Sequence, residues 1–557
     1  MKRYNLFIIF LIVIIHLFLN VWILNKSDII RIGDETHYLQ NSFEFAHLLN
    51  IQDVHGAFVR FSNPASNASH QNLFPFLSGT FLYAINFFHT INIHMYICLS
   101  NSLVLLVLLL GVYFFASLVF NSRVGLLAAI LVSCSPIIFS YERMFMLDLP
   151  LTAMYLWVWF AYSKSHYFKK AHWTFVAGML TLACFLIKEV AGIFMLPLLC
   201  VHVCVIILDP MHKKLRVRNT VLFYFPWIVL AGIFIYCSKD IFLHLLWAAM
   251  TEEWVSRSFF YYMQWCPFFT LYLGPLLMCI STGLLIYSVY HSRKKINVML
   301  WGAFVIPVVA LALLKNGLPR YAMPVIPFLF IITAEALFNI TRKKMRRVLY
   351  CLLVGLGLAQ FFLLSLSIPD HVLAYLCNGH DPKDKHAVLL HHGLLSAKKD
   401  PEMACAVEVN NYLKREIDTG KMQLSHRGIL VSTNDHEAQL MFDWINLQLC
   451  KEYHVVSPVY RTGALLMEAI PGMPHAKMAS QNAASIDWLS YARTSHLIII
   501  EDATGTFDRQ RNIFAYSNML LKNSLLENEK LFKRKHSFSL SDKRKLIVYE
   551  NSAKKGM

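Results

Sequence analysis

The chain has 557 residues, 57% of them apolar or aromatic and only 15% charged, with a mean hydropathy of +0.48. Soluble globular proteins carry about 25% charged residues, so a water-soluble body and a disordered chain are both excluded. The net charge is +17, but +14 of it lies before residue 370, in short basic segments between apolar runs. That placement marks membrane topology and excludes nucleic acid as the partner.

A helix needs about 20 largely apolar residues to cross a bilayer. In chain order, such runs occupy 5–24, 96–119, 124–140, 146–162, 172–187, 190–208, 219–238, 267–290, 297–314, 321–340 and 347–367. The first has the basic start of a secretory signal, but no small-residue cleavage site follows, so a retained helix is expected. A twelfth run, 73–90, is shorter and interrupted by Pro75, Ser78, Gly79, Thr80 and Asn86. If it stays out of the bilayer core, all six basic segments, holding 18 Lys and Arg, share the side of the N-terminus. The positive-inside rule makes that side cytoplasmic. The run 73–90 is therefore expected to be interfacial, within a first external loop covering 25–95.

The expected architecture is a polytopic α-helical membrane domain over 1–367, with about eleven transmembrane helices and interfacial helices in its first external loop. An extracytoplasmic domain follows over 368–557. In that tail, GILVS (428–432) and HLIIIED (496–502) are strand-like and alternate with amphipathic stretches, a pattern of a small α/β domain. Of the cysteines, Cys266, Cys377, Cys405 and Cys450 fall on the external side. Four such cysteines allow three pairings, and sequence chooses none of them.

Eleven acidic residues also fall in external loops before the tail. Several stand at helix mouths beside basic or aromatic residues: GDETHY (33–38), YERMFMLD (141–148), KE (188–189) and RY (320–321). Each alone has a structural explanation, as a solvated helix end, an interfacial ion pair or a snorkelling side chain. Four on one membrane face point to function, because a carboxylate at the membrane boundary is costly unless paired or wet. There is no GxxxxGK[ST] loop and no GxGxxG after a strand. A lipid with an anionic head, such as a polyprenyl-phosphate sugar, suits such a site. Its phosphate is already a good leaving group, a Lys or Arg stabilises the charge developing on it, and a carboxylate takes the acceptor's proton. Such a single displacement inverts the anomeric centre.

These segments resemble the GT-C glycosyltransferases, above all the protein O-mannosyltransferases and the lipid A aminoarabinose transferases. Gly33-Asp34-Glu35 with Tyr38 resembles the family's Asp-Glu motif. SPIIFSYERMFMLDLPLTAMYLWVWFAY (135–162) resembles its Asp-x-Pro stretch, FLIKEVAGIFMLPLL (185–199) its Leu-x-Lys-Gly segment, and LPRYAMPVIPFL (318–329) its Arg-Tyr-x-x-Pro segment. The resemblance implies Asp34 as catalytic base with Glu35 beside it, and Asp148 with Glu142 as a second acidic site. It implies Lys188 and Arg320, helped by Tyr321, on the donor phosphate. Arg143, Tyr38 and His37 stand beside these as acceptor-side candidates. Glu189 departs from the family's Gly and places a carboxylate that could pair with Lys188.

The expected function is transfer of a sugar from an undecaprenyl- or dolichyl-type phosphate donor to an acceptor hydroxyl or phosphate on a protein, lipid A or a glycan. No obligatory metal is expected, although the acids would accept a divalent cation. Membrane lipids are the other partners. The short cytoplasmic loops favour a bacterial inner membrane with a periplasmic site, with the endoplasmic reticulum as the alternative. Two other classes remain open at this point. One is a secondary transporter, disfavoured because charges avoid the helix centres. The other is an assembly protein that binds a partner through its tail, which leaves the acid–base cluster unexplained.

Overall fold

The computed structural model describes residues 2–26, 33–62, 73–86, 93–188, 190–208, 212–229, 232, 275–291, 295–313, 319–366, 403–419, 429–432, 459–461, 497–502, 531–539 and 545–551, with single positions at 442, 445, 449, 521 and 525. The chain divides into two compact units, Met1–Lys26 with Asp53–Ala397 and Ser27–Gln52 with Lys398–Met557.

The first unit is helical. It contains α1 (Lys2–Lys26), while α2 (Gly33–Asn50) falls in the second unit. Then follow α3 (Val54–Ser62), α4 (Leu73–Asn86), α5 (Ile93–Val119), α6 (Ser122–Ser133), α7 (Pro136–Tyr141), α8 (Asp148–Lys164), α9 (Ala171–Ile187) and α10 (Ala191–Leu208). Residues 213–229 form α11. Next come α12 (Pro275–His291), α13 (Lys295–Leu313), a 3-10 helix (Pro319–Val325), α14 (Ile326–Asn339) and α15 (Lys343–Leu366). Among the described residues four helical stretches are long and apolar enough to cross a membrane: Tyr4–Leu24, His94–Val119, Tyr321–Asn339 and Lys343–Phe362. Shorter apolar helices occupy several of the other expected runs, including Ala171–Ile187 and Ala191–Ile207.

The run 124–140 is not one helix. Pro136 lacks an N–H and its ring clashes with the preceding turn, and it pushes Ser135 to an extended conformation with φ −71° and ψ 126°. Two helices result, with α7 only six residues long. Helix α8 sits at the centre of the unit. Its side chains are buried over most of the circumference, from Leu149 and Leu151 through Tyr155, Leu156 and Trp159 to Tyr162, while Met154, Trp157, Phe160 and Lys164 form one half-buried stripe. It packs on α5, on α9 and on the 3-10 helix. Phe328 from α14 lies edge-on to Trp159, with ring centroids 5.8 Å apart, and 5.3 Å from the Tyr155 ring.

Past its C-terminal end, α8 turns into α9 through three successive left-handed residues, His166, Tyr167 and Phe168, with φ of 51°, 58° and 65°. None is glycine, and this conformation costs about 1–2 kcal/mol per residue. The turn is held by its surroundings. Ser165 Oγ accepts from the Phe168 N–H at 2.8 Å. From α11, Arg216 donates to the Tyr167 carbonyl, and Asn219 donates to the Phe168 carbonyl at 2.8 Å. Helix α9 meets α11 closely at Gly178, where a Cβ would run into the Phe223 carbonyl.

In the second unit, β1 (Ile429–Ser432), β2 (Val459–Arg461), β3 (Leu497–Asp502), β4 (Phe532–Ser539) and β5 (Lys545–Asn551) form one mixed sheet in the order β2-β1-β3-β5-β4. The β1–β2 and β1–β3 pairs are parallel, and β5 runs antiparallel between β3 and β4. Helix α16 (Met403–Asp418) lays Cys405, Ala406, Val409 and Leu413 on Ile429, Val431, Leu497, Ile499, Leu546 and Val548. The helical spacing of the first set and the alternation of the second are what a helix on one sheet face requires. Cys405 is buried in this core, whereas Cys266, Cys377 and Cys450 lie outside the described residues.

Candidate active site

Asp148 opens α8 and is 1% exposed. A carboxylate in the first turn complements the helix dipole. Its Oδ1 accepts a hydrogen bond from Lys188 Nζ at 2.8 Å. Lys188 ends α9 in an extended conformation with φ −158° and ψ 132°, which carries its side chain out of the helix direction. The same ammonium stands 4.4 Å from the ring centroid of Tyr321, in the 3-10 helix. Three segments far apart in sequence thus converge on one buried cation. Asp148 Oδ2 has no hydrogen-bond partner among the described residues, so the pair keeps an unused acceptor as well as the remaining N–H donors of Lys188.

The turn before α8 is held from three sides. Asn101 of α5 donates to the carbonyls of Glu142 and Met144, each at 2.9 Å. His16 Nδ1 of α1 lies 2.5 Å from Glu142 Oε2, and one turn further on Asn20 Oδ1 accepts from Arg143 Nε at 3.1 Å. The ring of His16 stacks on Phe361 of α15 at 4.5 Å, and Arg143 lies over the Phe139 ring at 5.2 Å. Burial lowers the Arg143 pKa to about 10, against the opposing effect of Glu142 beside it, and the guanidinium stays protonated at neutral pH. Glu142 and Arg143 are therefore fixed members of a buried polar cluster. His16, Asn20 and Asn101 were not singled out from the sequence. The signal was available: His16 and Asn20 are the only polar side chains in LFIIFLIVIIHLFLNVWIL (6–24), four residues apart and so on one helix face.

Asp34 and His37 belong to α2, but their side chains lie outside the described set; Glu35 and Tyr38 of the same helix are both 2% exposed. Arg320 has its backbone in the 3-10 helix and its side chain outside the described set, and Glu189 lies outside it altogether. Among the described residues the ion-pair partner of Lys188 is Asp148. Among the described residues no three His, Cys, Asp or Glu side chains cluster as a metal site would.

Residues 80–247 match the family model described as dolichyl-phosphate-mannose-protein mannosyltransferase. No curated protein matches the chain in sequence. Among solved structures, ArnT from Cupriavidus metallidurans bound to undecaprenyl phosphate superposes with a TM-score of 0.52 at 14% identity, covering 98% of each chain. The same protein in its apo state gives a TM-score of 0.54 at 13% identity, covering 96% of this chain and 97% of that one. The chain thus shares the fold of ArnT, and residues 80–247 are similar to the dolichyl-phosphate-mannose-protein mannosyltransferase family.

Proposed function

We propose that the chain is a glycosyltransferase that takes its sugar from a polyprenyl-phosphate donor. The observation that carries this reading is Lys188, a buried ammonium held between Asp148 and the Tyr321 ring. ArnT, whose fold the chain shares, binds undecaprenyl phosphate. Because Asp148 already neutralises Lys188, the pair alone offers a phosphate little net attraction. Arg320, adjacent to Tyr321, supplies the net positive charge, while Asp148 acts as a positioning residue that aims the remaining Lys188 donors.

In the reaction, the acceptor oxygen attacks the anomeric carbon as the carbon–oxygen bond to phosphate breaks. The bonding electrons leave on the phosphate, where Lys188 and Arg320 stabilise the charge. Asp34 takes the acceptor's proton, and the anomeric centre inverts. Glu35, Tyr38 and His37 flank that base, and Glu142 and Arg143 shape the turn that leads to Asp148. Helix α2 shares a compact unit with the C-terminal sheet, which supports reading the tail as part of the apparatus that presents the acceptor. The active face and the tail are placed in the periplasm of a bacterial inner membrane, opposite the basic segments.

The test is transfer by purified protein in nanodiscs from a panel of polyprenyl-phosphate sugars. Asp34→Asn should lower turnover by about 10²–10⁴-fold, the usual contribution of a general base, with donor binding retained. Arg320→Ala should weaken donor binding by about 10- to 100-fold, as loss of a charged hydrogen bond implies. Full turnover by Asp34→Asn would remove it as the base. No divalent ion is assigned a step, so chelation with EDTA should leave the rate unchanged.

A further inference from the structure

Helix α8 has Asp148 at one end and Lys164 at the other, 17 residues that span about 25 Å. At the Lys164 end, two basic segments about 50 residues apart in sequence are tied together: Arg216 and Asn219 of α11 hold the carbonyls of Tyr167 and Phe168 in the left-handed turn. Neither 164–172 nor 212–220 contains an acid. Arg216 is buried and uses its N–H groups on that turn, but Lys170, Lys213, Lys214 and Arg218 are exposed.

The surface beside these charges is apolar and open. On α11, Lys214 and Arg218 share one helical stripe with Val217, Val221 and Phe225, which are 49%, 63% and 52% exposed. The stripe is cationic at its start and apolar along its length, and the positive end of the helix dipole lies at the cationic start. That is the pattern of one amphipathic ligand with an anionic head and a hydrocarbon tail. We infer that the edge formed by residues 164–172 and 212–218 is a headgroup site for an anionic phospholipid, in the leaflet at the opposite end of α8 from Asp148. The headgroup phosphate sits among Lys170, Lys213, Lys214 and Arg218, and an acyl chain follows Val217, Val221 and Phe225. The locked left-handed turn keeps the two basic segments together before the lipid arrives.

The experiment uses the full chain in detergent, with phosphatidylglycerol, phosphatidylcholine or inorganic phosphate added, read by native mass spectrometry and thermal melting. Phosphatidylglycerol should be retained and raise Tm, and the other two probes should do neither. Replacing Lys170, Lys213, Lys214 and Arg218 by Gln should reduce phosphatidylglycerol retention by about fivefold or more. Asn219→Ala leaves the charge unchanged but loosens the turn, and should weaken retention in the same direction. Replacing Arg342, Lys343, Lys344 and Arg347 by Gln removes as many exposed charges from another basic edge and should leave retention intact. Equal loss in that control would reduce the effect to general charge and overturn the site. So would undiminished retention in the first variant, or stabilisation by inorganic phosphate equal to that by the lipid. If Asn219→Ala shows no cooperative melt, the two charge variants still decide.

Discussion

Asp148 and Lys188 neutralise each other at a place with almost no water, their side chains 1% and 5% exposed. Breaking such a pair from one side leaves an uncompensated buried charge, which costs about 3–5 kcal/mol. Asp148→Asn should therefore lower the melting temperature sharply, and Asp148→Asn with Lys188→Met should recover much of the loss. A single variant as stable as wild type would show that the pair is solvated. Both residues were legible in the sequence, because an acid or a base at the mouth of an apolar run stands out, but their pairing was not. Forty positions separate them, and Glu189 stands as a nearer candidate in the sequence. His16 and Asn20 escaped for the opposite reason: they lie inside a run whose hydropathy marks it as a span. One imidazole does not disturb that pattern, and its meaning appears only when Glu142 is brought against it.

Among the elements, the long apolar helices follow directly from the hydrophobic runs, and the breaks between them do not. The apolar pattern continues through Pro136, which nonetheless divides 124–140 into α6 and α7, and α7 ends at Tyr141, leaving Glu142 and Arg143 in the turn that leads to α8. The left-handed turn after α8 is even less visible, since three successive non-glycine residues at positive φ are rare and Tyr167 and Phe168 are poor residues for it. The local Ser165 hydroxyl and the donors of α11, 50 positions away, together hold that conformation. His166 is exposed, so its side chain contributes strain with little packing in return. His166→Gly should raise stability by about 0.5–1 kcal/mol despite the flexibility that glycine adds to the unfolded chain. Thermal melting checks this, and His166→Ala, which keeps the Cβ clash, should give no such gain.

At the level of the whole molecule, the chain divides into a helical unit and a sheet-bearing unit, and α2 groups with the second. That grouping was not legible in the sequence, since proximity in sequence ties the first loop to its flanking helices. The tail also carries a pH dependence of its own. Lys535 sits at the bulge of β4, which interrupts the register between Arg534 and His536 and brings its ammonium to Glu416 at 2.5 Å and Glu550 at 3.2 Å. Partial burial opposes the charge, but those two hydrogen bonds outweigh it and raise the pKa above its ordinary 10.5. Burial likewise raises Tyr412 above 10.0. A folded-state pKa raised above the unfolded one stabilises fully below the unfolded value, and that stabilisation disappears as pH climbs through the folded value. Hydrogen-exchange protection of β4 and β5, corrected for intrinsic rates, should thus hold up to about pH 10 and fall beyond it. Lys535→Met should flatten the alkaline fall, and an unchanged profile would show that the bulge contacts are idle. The strand order has a further consequence for biosynthesis. Strand β5, the last of the five in sequence, lies between β3 and β4. Until Lys545–Asn551 leaves the ribosome, the Leu-Ile-Ile-Ile edge of β3 has no strand to cover it. An uncovered apolar edge recruits other chains, so ribosome stalling just before Lys545 should leave the nascent chain more aggregation-prone than stalling after Asn551 has emerged.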